Sequence, residues 1–182
     1  MGAKSKLYGK VFLTIAIPYG LLFGLYLAVV SGQGVASGVL GALLSGLLFG
    51  LAMATILGTM HIASVRRRGR EGPADFSVKQ RQQLRLALPP IKAFERAVQA
   101  VTALPATVTS SDSESGHIEA KVGMSWRSWG ETVTIVVQPQ GSSSSSVCIE
   151  SRPRLRITVV DYGKNRQNVE RIVGALTAGG GS

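Results

Sequence analysis

The chain has 182 residues, room for about one globular domain plus something smaller, and it combines 45% hydrophobic residues with a formal net charge of +10. That combination requires segregation: the 55 residues from Val11 to Val65 contain no Asp, Glu, Lys or Arg. A single cysteine, Cys148, excludes an intramolecular disulfide and fits a reducing compartment.

A bilayer-spanning helix needs roughly 20 apolar residues, so the neutral block is expected to hold two spans, about 11–30 and 38–62, joined by an uncharged turn over Ser31–Ser37. A cleaved leader is the rival reading of Lys4, Lys6 and Lys10. Val11–Val30 exceeds the usual leader core of about 7–15 residues, and a second span follows at once. Residues 1–10 carry three Lys and no acid, while residues 66–96 carry nine basic and three acidic residues. Basic residues resist translocation, so both termini are expected in the cytoplasm of a bacterium, with the hairpin in its inner membrane. Arg66, Arg67, Arg68 and Arg70 are candidate contacts to anionic lipid headgroups, at about 1 kcal/mol each near the surface. Placed directly after a span, this basic stretch is accounted for by topology and lipid, and no nucleic-acid partner is expected.

Small residues recur every fourth position in both spans: Ala16, Gly20, Gly24, Ala28 and Gly32 in the first, Gly34, Gly38, Ala42, Gly46, Gly50, Ala54 and Gly58 in the second. Such a row forms a helix ridge without side chains, which lets another backbone approach closely. The two rows can pack against each other within one hairpin. Alternatively, the second also packs against copies of itself or against other membrane-protein subunits, giving a homo-oligomer or a larger complex. A homo-oligomeric ion or mechanosensitive channel is a further reading, although Ser45, Thr55 and Thr59 are thin lining for a water-filled path. Pro18 is expected to kink the first span.

Residues 66–80 read as a basic juxtamembrane linker. Beyond it, Arg81–Leu88 alternates like a strand, Pro89-Pro90 opens a helix running to Leu104, and Ala106–Ser110 is strand-like. Asp112–Gly116 reads as a turn, His117–Gly123 and Glu131–Gln138 as strands, then a serine-rich loop, the strand Val147–Arg152 and a short strand Ile157–Val160. A last helix, Lys164–Ala178, precedes a flexible tail over 179–182. Residues 81–178 therefore predict an α+β domain in which two helices pack on an antiparallel sheet.

Little in this pattern carries chemistry. His61 and His117 stand alone, Cys148 has no partner at metal-ligand spacing and reads as a buried thiol, and no nucleophile elbow, zinc-protease, P-loop or dinucleotide motif occurs. No enzyme, cofactor or metal is expected. The best local constellation is Asp161-Tyr-Gly-Lys-Asn165. Gly163 suits a positive φ, Asp161 or Asn165 suits a helix cap, and Arg152 or Arg154 is near enough in a compact fold to pair with Asp161. The competing reading has Arg152, Arg154, Lys164 and Asn165 receive an anion at the helix N-terminus. Trp126 and Trp129 are either interface aromatics at headgroup level or closures of the small core.

Ser151-Arg-Pro-Arg154, then Asp161-Tyr-Gly-Lys-Asn165 and the helix Asn168–Leu176, together with Ser128-Trp-Gly-Glu131, resemble uncharacterised bacterial domains of unknown function ending in SRxR, DxGxN and a helix. The resemblance spans roughly the last 80 residues and implies a shared fold and ancestry, without an activity. The layout is also similar to helix-grip domains, some of which hold lipid under the last helix, which implies lipid or apolar-ligand binding as one more reading. Taken together, the residues predict a non-enzymatic inner-membrane protein with a cytoplasmic docking or lipid-contacting domain.

Overall fold

The computed structural model describes residues 2–67, 77–125 and 128–178, and the chain divides into two compact units, Met1–Phe76 and Ser77–Ser182. The first unit is a helical hairpin. α1 (Ala3–Leu25) runs unbroken through Pro18 into a π-helical turn, Tyr26–Val30, and α2 (Gly34–Arg66) returns. The reversal is shorter than the expected Ser31–Ser37. Gln33 N–H donates to the Leu27 carbonyl at 3.1 Å, and Gly32 and Gly34 take φ of 66° and 82°, so the chain turns within three residues.

The small-residue rows face each other across this hairpin. A Cβ added at Gly20 would lie 2.5 Å from the Ala42 carbonyl oxygen, and one at Gly24 the same distance from that of Gly38. Ala16 lies against Gly46 and Gly50, Ala28 against Gly38, and Gly58 carries the ring of Tyr8. Backbones this close gain dispersion that larger side chains would prevent. The large side chains consequently point outward: Leu22, Leu43 and Leu48 are each about two-thirds exposed. The two helical segments, 28 and 33 residues, each hold an 18-residue stretch with mean hydropathy 2.1 and 2.2 respectively, and are long and apolar enough to cross a membrane.

The second unit is a five-stranded antiparallel sheet with two helices. In chain order these are β1 (Gln80–Leu86), α3 (Pro90–Val101), β2 (Ala106–Asp112), β3 (His117–Val122), β4 (Glu131–Pro139), β5 (Ser145–Pro153) and α4 (Lys164–Ala178). The strands lie side by side as β1-β5-β4-β3-β2. Period-two alternation sends Ile118, Ala120, Val133, Ile135, Val147 and Ile149 into one core, which Ala93 and Ala97 of α3 and Val169, Ile172 and Leu176 of α4 complete. Alanines on the inward face of α3 let that helix lie close to the sheet. Pro90 at the first helical position loses no bond there, and Ala93 N–H closes onto the Pro89 carbonyl at 2.9 Å. The edge strands β1 and β2 are largely polar and exposed, which discourages edge-to-edge pairing.

Two expectations fail here. The β-branched run Ile157–Val160 forms no strand: Pro153 ends β5, Thr158 N–H turns back onto the Leu155 carbonyl at 3.1 Å, and Ile157 is 75% exposed. Cys148 is half-buried rather than buried, because Val147 and Ile149 take the core-facing positions on either side. Its Sγ accepts a hydrogen bond from Arg81 Nε at 2.9 Å on the opposite face of the sheet.

Candidate functional site

At one end of the sheet the core face turns polar. Glu131 continues the inward series Val133, Ile135, Val137 of β4 one step back, and Ser151 continues Val147 and Ile149 of β5; both are 0% exposed. α4 lays Asn165 and Asn168 over them, also 0% exposed, on the face that carries Val169 and Ile172. Asp161, just before the helix, is 1% exposed.

These five side chains form one hydrogen-bonded row. Asp161 Oδ1 accepts from Gly163 N–H at 3.0 Å, and Oδ2 accepts from the Asn165 N–H at 3.0 Å and from Asn165 Nδ2 at 2.9 Å. Ser151 donates its hydroxyl to Asn165 Oδ1 at 2.7 Å and accepts from Asn168 Nδ2 at 3.2 Å. Asn168 Nδ2 also donates to Glu131 Oε2 at 3.4 Å. Tyr162 and Gly163 both adopt left-handed backbone, φ 50° and 74°, which folds the Asp161 carboxylate back over the first turn of α4. Asp161, not Asn165, is therefore the cap, and its carboxylate takes the backbone donors that an external anion would need.

The row fixes the start of α4 to the ends of β4 and β5, and it is closed to solvent. Among the described residues it is also short of donors: Glu131 Oε1 and Asn168 Oδ1 are buried without a hydrogen-bond partner. Buried acceptors left open cost stability. In the sequence, Glu131 and Asn168 stand out only as the ends of the resembling segments Ser128-Trp-Gly-Glu131 and Asn168–Leu176, and not as candidate site residues. The signal that finds them is the extension of each apolar period by one step, from Val133 back to Glu131 and from Ile172 back to Asn168.

The other candidate residues lie on surfaces. Arg152 and Arg154 alternate outward from Ser151 and are exposed, and Lys164 is half-buried at the start of α4. Arg154 N–H donates to the Gly130 carbonyl at 3.0 Å, which joins the segment before β4 to the segment after β5. Near these joined segments Trp129 (67% exposed), Met124 and Ile157 are exposed, as are Arg152, Arg154 and Arg156. Trp129 thus does not close the core. Arg66 and Arg67 end α2 and are exposed, whereas Arg68, Arg70, Trp126 and the residues 179–182 lie outside the described residues. His61 is fully buried in the hairpin unit, and among the described residues no three His, Cys, Asp or Glu side chains gather as a metal site.

These features define a class: a one-sheet α+β domain with a buried polar row, following an apolar helical hairpin. The chain belongs to the family described as "Protein of unknown function (DUF1499)", which it matches over residues 62–176, so the family's domain is the second unit and the last turn of α2. No curated protein matches the sequence. Among solved structures, the di-domain ARO/CYC BexL from the BE-7585A biosynthetic pathway is similar at 10% identity and a TM-score of 0.43, over 55% of this chain and 45% of that one.

Proposed function

We propose that the chain is a non-enzymatic membrane protein whose hairpin anchors it in lipid and whose α+β domain contacts anionic headgroups. The observation that carries the reading is the inside-out hairpin, with glycines and alanines between the helices along its middle and most of its Leu, Ile and Val outside. In water that arrangement would expose far more apolar surface than a monomeric protein tolerates; in hydrocarbon it is the expected one. Assembly with copies or with other membrane subunits would have to use the outer helix faces, because the small-residue rows already meet each other. A channel is less well supported, since the Thr55 and Thr59 hydroxyls bond carbonyls of their own helix at 2.9 and 2.6 Å.

The face we assign to lipid is the region of these joined segments, where Trp129, Met124 and Ile157 and the three arginines are exposed. An indole with apolar neighbours suits the headgroup layer, and arginines supply attraction to anionic lipid. The chain has two tryptophans, so Trp126→Phe leaves Trp129 as a sole reporter. Reconstituted into vesicles, that variant should show Trp129 fluorescence quenched by brominated lipid, more strongly with phosphatidylglycerol than with phosphatidylcholine. Replacing Arg152, Arg154 and Arg156 by Gln should remove the difference. Water-like emission unaffected by either lipid would refute the contact.

A further inference from the structure

We infer that the groove between α3 and α4 is a binding site for a singly charged oxyanion, a carboxylate or a phosphodiester, carried on a short apolar stem. The inference goes beyond the headgroup contact proposed above and stands on α3, α4 and the turn before α3. The groove has a volume of about 480 Å³, within the range of small-molecule sites. Its floor is Leu88, Ala100 and Ala175, and its walls carry Lys92, Arg96 and Gln99. These last three follow one another at one-turn spacings on α3, so their polar ends converge on the same space.

Arg96 is the reason to expect a ligand. The body of its side chain is half-buried, and Nη2 is buried with no hydrogen-bond acceptor among the described residues. A desolvated guanidinium donor without an acceptor is costly. The half-exposed side chain has only to turn for the fork to meet a carboxylate or phosphodiester in the groove, whose two oxygens match its geometry. Lys92 one turn away adds a second positive charge, and the Gln99 amide adds a donor. Glu95 at the same groove opposes a second negative charge on the head. The apolar floor leaves space for a hydrocarbon stem of a few carbons.

The test follows the Arg96 side-chain Nε–H resonance in the arginine-labelled full chain in neutral detergent. Hexanoate and dihexanoyl-phosphatidylglycerol are the two amphiphilic probes; acetate presents the head alone and hexanol the stem alone. Saturable shifts with either amphiphile, at least about tenfold tighter than with acetate because the stem is buried, support the site. Hexanoate alone points to a free carboxylate amphiphile, dihexanoyl-phosphatidylglycerol to a membrane phospholipid. Arg96→Gln should abolish protection of the fold by the probe in thermal melts. Ala175→Trp, which fills the groove and keeps Arg96, should abolish the shift itself. No saturable shift with either amphiphile, an equal response to hexanol, or a shift that survives Ala175→Trp overturns the inference.

Discussion

Asn168 of α4 reaches Glu131 at the start of β4 through a single long hydrogen bond of 3.4 Å, and neither residue exposes any surface. The amide shares its donor between Ser151 and the carboxylate and keeps its own oxygen unmatched, and one carboxylate oxygen is unmatched as well. Two acceptors face one scarcity.

Glu131→Gln addresses that scarcity directly. It preserves shape and adds two amide hydrogens to a row that has two open acceptors. Chemical unfolding of the full chain in detergent should show the domain more stable by about 1 kcal/mol. Glu131→Ala should instead lower stability by about 1 to 2 kcal/mol, since it opens a cavity and pairs nothing. A large loss in the Gln variant would contradict the donor-poor description of the row.

Asp161→Ala strips the acceptor from two backbone N–H groups and one side-chain amide. The expected loss is about 2 to 3 kcal/mol, combining a helix cap with a buried bond. Amide exchange at Gly163 and Asn165 should rise more than exchange at the C-terminal end of α4. Uniform acceleration along the helix would show that the carboxylate is not a local cap.

The glycines of the two units should respond oppositely to an added methyl group or more. Gly24→Leu drives side-chain atoms into the Gly38 carbonyl and must separate the helices. Spin labels at Ile17 and Leu43, placed in a Cys148→Ser background, should report a longer distance. Gly174 lies in α4 with nothing within 4 Å of an added Cβ, so Gly174→Ala should stabilise the domain by about 0.5 to 1 kcal/mol. An unchanged label distance, or a loss of stability in Gly174→Ala, would refute the respective packing.

Alternation made much of the fold legible. Val133, Ile135 and Val137 announced β4 and its buried face, Pro89-Pro90 announced the start of α3, and Asp161-Tyr-Gly announced a tight entry to α4. The polar row was legible only in part. Ser151, Asp161 and Asn165 were marked by their motif, but Glu131, though it closes Ser128-Trp-Gly-Glu131, gave no sign of burial, which depends on a helix that arrives 37 residues later. Ile157–Val160 misled for the converse reason: its β propensity is strong, yet Pro153 ends β5 and the chain turns back at Thr158 onto Leu155 instead of extending. Which face of β5 meets the helices decides the place of Cys148, and that is a tertiary fact.

The turn between β2 and β3 carries a pH dependence of known sign. The Ser115 hydroxyl, then the Glu114 backbone N–H, hold the Asp112 carboxyl below the usual aspartate range. A depressed folded value means that the turn's stabilisation is complete above the unfolded pKa, about 3.9, and is lost as pH falls through the lower folded value. Ser115 Oγ donates at 2.6 Å and Glu114 N–H at 3.0 Å. Exchange of the Glu114 amide, corrected for its intrinsic pH dependence, should therefore accelerate only in that acid window, and Asp112→Asn should flatten the profile. Acceleration at higher pH, or a profile unchanged by Asp112→Asn, would refute the assignment.

The most direct measurement is extraction of the full chain from the membranes of cells that express it, with alkaline carbonate and then with detergent. A hairpin whose leucines face hydrocarbon predicts retention in the carbonate-washed pellet and release by detergent alone. Recovery in the carbonate supernatant, or a monodisperse chain in buffer without detergent, would contradict the account.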